Sequence, residues 1–110
     1  MKTFLTIASL TFIGAWLGFK QPQPGVPNLN QGKTVVQLNY EWNKANNYPW
    51  KTINGINYYY LSLDKFPELK SKMKIKTVPT IIVLNNGQEL KRIEGGLMMK
   101  ISSSQNEIIQ

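Results

Sequence analysis

Residues 35–46 read VVQLNYEWNKAN, and the fold turns on how that stretch divides into strand and turn. From Thr34 the run TVVQLNY is short, rich in β-branched residues and bounded by polar ones. That pattern predicts a strand buried on both faces, hence central in a sheet. The segment after it cannot hold a long helix because Pro49 interrupts it, and Asn54-Gly55 supplies a turn, so a short helix or irregular crossover is expected before a second strand in INYYYLSL.

Downstream, DKFPELKSKMKI opens with Asp64 as an N-cap, puts Pro67 in the first turn, and spaces Phe66, Leu69 and Met73 on one face, which predicts a helix of about three turns. TIIVLNNGQELKRIE reads as a β-hairpin around a type I′ Asn86-Gly87 turn, ended by Gly95-Gly96. In its second strand Leu90, Arg92 and Glu94 alternate with Lys91 and Ile93. The last residues carry apolar positions at Leu97, Met98, Ile101, Ile108 and Ile109, with a serine run that lowers helix propensity, so a tail or short helix is expected over 98–110.

Upstream, KQPQPGVPNLNQGK concentrates Pro22, Pro24, Gly25, Pro27 and Gly32, a composition for an extended spacer over 21–33. Before it, residues 3–19 carry no charge between Lys2 and Lys20. As a helix they would span about 26 Å, at the lower limit for a hydrocarbon layer of ~30 Å. Residues 1–20 therefore read as a membrane anchor, an export signal without a clean small-x-small cleavage site, or a helix buried in an assembly. Gly14 and Gly18 have the spacing that lets two helices approach closely in lipid. The expected organisation is thus an apolar helix over 1–20, a linker over 21–33, one small domain over 34–97 and the tail.

The order strand, short crossover, strand, helix and then a hairpin introduced by Val-Pro-Thr resembles the thioredoxin-like family over about residues 34–97. In that likeness Trp42 matches the tryptophan before the family's CxxC motif, and the two cysteine positions fall on Asn43 and Asn46. TVPT at 77–80 matches the cis-proline loop, with Pro79 the cis residue, and the family's buried acid is matched by Gln37. The implied fold class is α/β: a trimmed thioredoxin-like fold, its central mixed sheet ending in a C-terminal hairpin, behind the N-terminal apolar helix. The family's first β-α unit is missing, replaced by the proline-rich spacer.

The chain has no cysteine and no histidine among its 110 residues. Thiol–disulfide exchange needs a thiolate, so the family's reaction is excluded, and the commonest bases, nucleophiles and zinc ligands go with it. No catalytic residue, metal or cofactor is expected. What the resemblance leaves is a groove formed by Trp42, Asn43, Asn46, Val78, Pro79 and Gly95, which in the family receives an extended polypeptide.

The net charge of +7 fits a lysine-rich solvated surface. Its densest run, Lys70, Lys72, Lys74 and Lys76, either complements a helix C-terminus or meets phosphate or acidic lipid. Nucleic acid is the weaker reading there. Alternation also divides Tyr58 and Tyr60 from Tyr59, as in an ordinary strand. The sequence therefore points to a redox-inactive protein-binding or structural component in a membrane, in the cell envelope after export, or in a phage virion, with a chaperone-like or assembly role as the other reading of the groove.

Overall fold

The computed structural model describes residues 25–110. The apolar segment 3–19, with Gly14 and Gly18, and the first part of the spacer lie outside them. No helix among the described residues is long and apolar enough to cross a membrane.

Four strands form one mixed sheet in the order β2-β1-β3-β4: β1 (Lys33–Asn39), β2 (Asn57–Ser62), β3 (Thr80–Asn85) and β4 (Gln88–Glu94). β1 runs parallel to β2 and antiparallel to β3, which pairs antiparallel with β4. As its apolar run predicted, β1 is central and Val35, Val36 and Leu38 are fully buried. One face carries Val36, Leu38, Leu61, Ile82 and Leu84 under Phe66, Leu69 and Ile75, with Val26 and Leu29 of the spacer packed against them. The other face carries Val35, Ile81 and Val83 under Ile101 and Ile108.

The helix after β2 is shorter than its periodicity suggested: α1 covers only Leu69–Lys72. Asp64 does not cap it. Its carboxylate accepts instead from the Glu41 N–H at 2.6 Å, across the top of the sheet, while Ser62 Oγ accepts from the N–H groups of Asp64 and Lys65. The C-terminus is closed by a left-handed Lys74 (φ 53°): Ile75 N–H reaches the Lys70 carbonyl at 2.8 Å and Lys74 N–H the Ser71 carbonyl at 3.2 Å. This is the Schellman pattern, with Ile75 packed into the cluster that holds Leu69. The apolar face of Phe66 and Leu69 is buried as expected, so the side-chain pattern was right and the helix length was not.

At the hairpin Asn86 and Gly87 both take positive φ (51° and 85°), as a type I′ turn requires. A bulge between Val83 and Leu84 leaves Leu90 without a register partner, which explains why that leucine is 57% exposed. The chain then folds back across the sheet. In α2 (Gln105–Ile109) Ser104 forms a capping box with Glu107, so the serine run that weakens a helix interior here starts one. Gln105 is held by reciprocal hydrogen bonds to the backbone of Lys51, and the Tyr48 hydroxyl donates to the Ser103 carbonyl at 2.8 Å.

Ile108 is 1% exposed, so Ile108→Ala is expected to lower unfolding stability by about 2–5 kcal/mol in urea denaturation, the range for a large-to-small core change. Glu107 is held below the usual carboxylate range by the backbone and side chain of Ser104, and Glu89 by its hydrogen bond to Arg92. A carboxyl lowered in the folded state stabilises above its unfolded pKa and loses that contribution as pH falls through the folded value. Melting temperature should therefore fall on acidification through and below the ordinary carboxylate range, and fall less in Glu107→Gln.

Candidate functional site

The C-terminal end of β1 and the N-terminal end of β3 lie together because the two strands are antiparallel. Glu41–Asn46 forms a 3-10 turn there, and the Val78–Pro79 peptide bond is cis, as the TVPT match implied. Gly95 closes the third side: its N–H donates to the Pro79 carbonyl at 2.9 Å. A Cβ at Gly95 would lie 2.8 Å from the Val78 carbonyl oxygen and 3.0 Å from Lys100 N, so only glycine permits this approach. Trp42, Asn43, Asn46, Val78, Pro79 and Gly95 are thus assembled at one end of the sheet.

Asparagine occupies the two places next to Trp42 for a structural reason. Asn43 is 5% exposed, and its amide donates to Asn39 Oδ1 at 3.1 Å and to the Met99 carbonyl at 3.1 Å. Its own Oδ1 accepts from Asn46 Nδ2 at 2.8 Å. Asn39, fully buried on β1, donates in turn to the Asn43 carbonyl and to Asn47 Oδ1, and accepts from Tyr40 N–H. Every polar position of the Asn43 side chain is engaged, so a cysteine here would forfeit the donations to Asn39 Oδ1 and the Met99 carbonyl and the acceptor for Asn46.

Gln37, two residues earlier on the same face of β1, continues the arrangement. Its Oε1 accepts from Tyr48 N–H at 2.6 Å while its Nε2 donates to the Tyr48 carbonyl at 3.1 Å and the Tyr58 hydroxyl at 2.7 Å. A side-chain amide here imitates a strand partner, holding the crossover where no regular element does. The Tyr58 phenol is pushed up from its ordinary value by burial, against the opposing effect of the Gln37 hydrogen bond, so it stays neutral.

Around these fixed groups the described surface is apolar and exposed. Trp42 is 63% exposed and stacks on Tyr40 with ring centroids 5.9 Å apart. Leu97, Met98 and Met99 follow Gly96 in a 3-10 turn and are all exposed, with Leu97 wholly so. The Asn43–Met99 bond ties this loop to the turn that carries Trp42. The three apolar residues were readable in the sequence only as part of a tail; three in succession outside any helix or strand pattern was the signal for an exposed surface.

The lysine run is divided: Lys76 directly precedes the Thr77-Val78-Pro79 loop, while the others lie apart from it in the chain. Lys70 and Lys72 lie on α1, and Lys72 and Lys74 rim a cleft with Ile82, Leu84 and Arg92 near the Asn86-Gly87 turn, at the opposite end of β3. Arg92 is committed there, paired bidentately with Glu89 and donating to the Lys74 carbonyl. Among the described residues no cluster of acidic side chains could hold a metal ion.

Gln37→Glu would put a carboxylate in place of an amide that donates to a carbonyl, and burial would raise its pKa. A raised acid favours folding at low pH and loses that advantage as pH rises. The variant's melting temperature should fall progressively below that of the native protein as pH rises above about 4.3. A gap that does not vary with pH would contradict the assignment.

No protein-family model matches the chain, and no curated protein sequence matches it. Solved structures do. One described as a malarial protein superposes with a TM-score of 0.50 at 22% identity, over 72% of this chain and 91% of its own. The thioredoxin of Malassezia sympodialis, described as a member of a pan-allergen family, gives 0.47 at 17% identity over 60% of this chain and 67% of its own. The oxidised thioredoxin of Plasmodium falciparum gives 0.47 at 16% identity over 58% and 68%. At these identities the likeness is one of fold. With its strand order, parallel β1–β2 pair, cis Val78–Pro79 bond and terminal hairpin, the chain has a thioredoxin-like fold that contains no cysteine.

Proposed function

We propose that this is a non-catalytic interaction protein that binds an extended polypeptide segment across the end of the sheet bearing Trp42, Pro79 and the Leu97–Met99 loop. The observation that carries the reading is the exposed apolar surface of Trp42, Leu97 and Met98 at the end of the sheet where the Val78–Pro79 loop lies. Neither the backbone N–H nor the carbonyl of Val78 has a hydrogen-bond partner among the described residues. A peptide strand would pair with those two groups, while Trp42 supplies a rigid anchor and the methionines an adaptable apolar contact.

The chemistry of the site supports binding over reaction. The Asn43 and Asn46 amides are occupied in holding the turn, and the chain contains no thiol. The apolar residues 3–19 would tether the domain to a membrane or a larger assembly, with the proline-rich spacer setting its reach.

Trp42→Ala is expected to weaken binding to an array of short unstructured peptides by about tenfold or more, the scale of losing one aromatic anchor. Lys72→Ala, in the cleft beside the Asn86-Gly87 turn, should leave binding unchanged. Equal binding by Trp42→Ala and the native protein, with circular dichroism unchanged, would move the contact elsewhere.

A further inference from the structure

The sheet has two outer edges, and they differ. β4 is guarded: it carries Glu89, Lys91, Arg92 and Glu94, and the bulge at Leu90 breaks its regularity. Charges and bulges of this kind discourage edge-to-edge pairing. β2, reading NYYYLS, has no charge, no proline and no bulge. In a protein of net charge +7 this neutral aromatic edge is the one that a second, equally basic molecule can approach.

The direction of its free groups follows from the ladder. Leu63 N–H donates to the Asn39 carbonyl at 2.9 Å, so the two-residue period of a parallel pair turns the inward-bonding residues to the odd positions of β2. The N–H and C=O of Tyr58 and Tyr60 therefore face away from β1. No backbone partner meets them among the described residues. A groove lined by Gly25, Pro27, Phe66 and Lys65 runs beside Tyr59–Ser62.

We infer that β2 pairs antiparallel with β2 of a second copy, about a two-fold axis at Tyr59, to give one continuous eight-stranded sheet. In this register Tyr58 lies opposite Tyr60 of the partner copy and exchanges both backbone hydrogen bonds with it, and Tyr60 does the same with the partner's Tyr58. Tyr59 faces its own counterpart as the non-hydrogen-bonded pair. The aromatic cross-strand pairs add side-chain contact, and no like charges are opposed. The interface is self-complementary and closed, since the guarded β4 edges then form the two ends of the sheet.

The absence of native cysteine makes the test direct. Cα atoms of a non-hydrogen-bonded antiparallel pair lie about 4.5 Å apart, within disulfide reach. Full-length Tyr59→Cys should therefore cross-link to a covalent dimer under mild oxidation, whereas full-length Gln88→Cys, on the other edge, should not. In sedimentation of the full chain the native protein should be dimeric and Tyr60→Pro monomeric, since that proline removes an outward N–H together with the half-buried Tyr60 ring, and circular dichroism checks its fold. A monomeric native protein, cross-linking by Tyr59→Cys no faster than by Gln88→Cys, or a dimer that survives Tyr60→Pro with the fold intact would each overturn the proposal. The last two outcomes together would assign dimerisation to another surface.

Discussion

The structure depends on two neutral side chains on the inner face of one strand. Gln37 and Asn39 project from β1 toward the crossover that follows it, and between them they bond Tyr48, Tyr58, Asn43 and Asn47. A crossover of this length, interrupted by Pro49, supplies few backbone hydrogen bonds of its own, and buried backbone groups must be paired. Amides satisfy them because each carries both donors and an acceptor, and they do so without the desolvation cost of burying a charge. At Gln37, Asn39 and Asn43 these amides order the crossover and the turn that begins it.

The same network shapes the end of the sheet. With Asn43 fixed to Asn39 and Met99, and Gly95 seated against Val78, the turn, the cis-proline loop and the final loop form one unit. At this end Trp42, stacked on Tyr40, and Leu97 and Met98 are large, apolar and exposed. A rigid base carrying adaptable apolar contacts is the ground on which we propose a recognition surface here.

Much of this was legible in the sequence wherever the controlling signal was local. The β-branched run of β1 and the Asn86-Gly87 turn each carry their conformation within a few residues and are found as read, while the cis bond at Pro79 was readable only through the resemblance of TVPT to a known loop. The three-turn helix failed because Asp64, a good cap in isolation, is recruited by Glu41, 23 residues away. Leu90 fitted the alternation of β4, but only the pairing with β3 reveals the bulge that leaves it outside. The amide network was out of reach for the same reason: its link from Asn43 to Met99 spans 56 residues. Ser104 shows the reverse case, a local cap signal outweighed in reading by the low propensity of its neighbours.

The most direct measurement is hydrogen exchange at the side-chain amides, followed by NMR on the native protein. The account requires the Gln37, Asn39 and Asn43 amide protons to exchange slowly, together with Tyr48 N–H, and to be released only by opening of the fold. The amide of Asn106, on the exposed side of α2, sets the unprotected rate. Exchange of the Asn43 and Gln37 side chains as fast as that of Asn106 would contradict the claim that these amides hold the crossover in place.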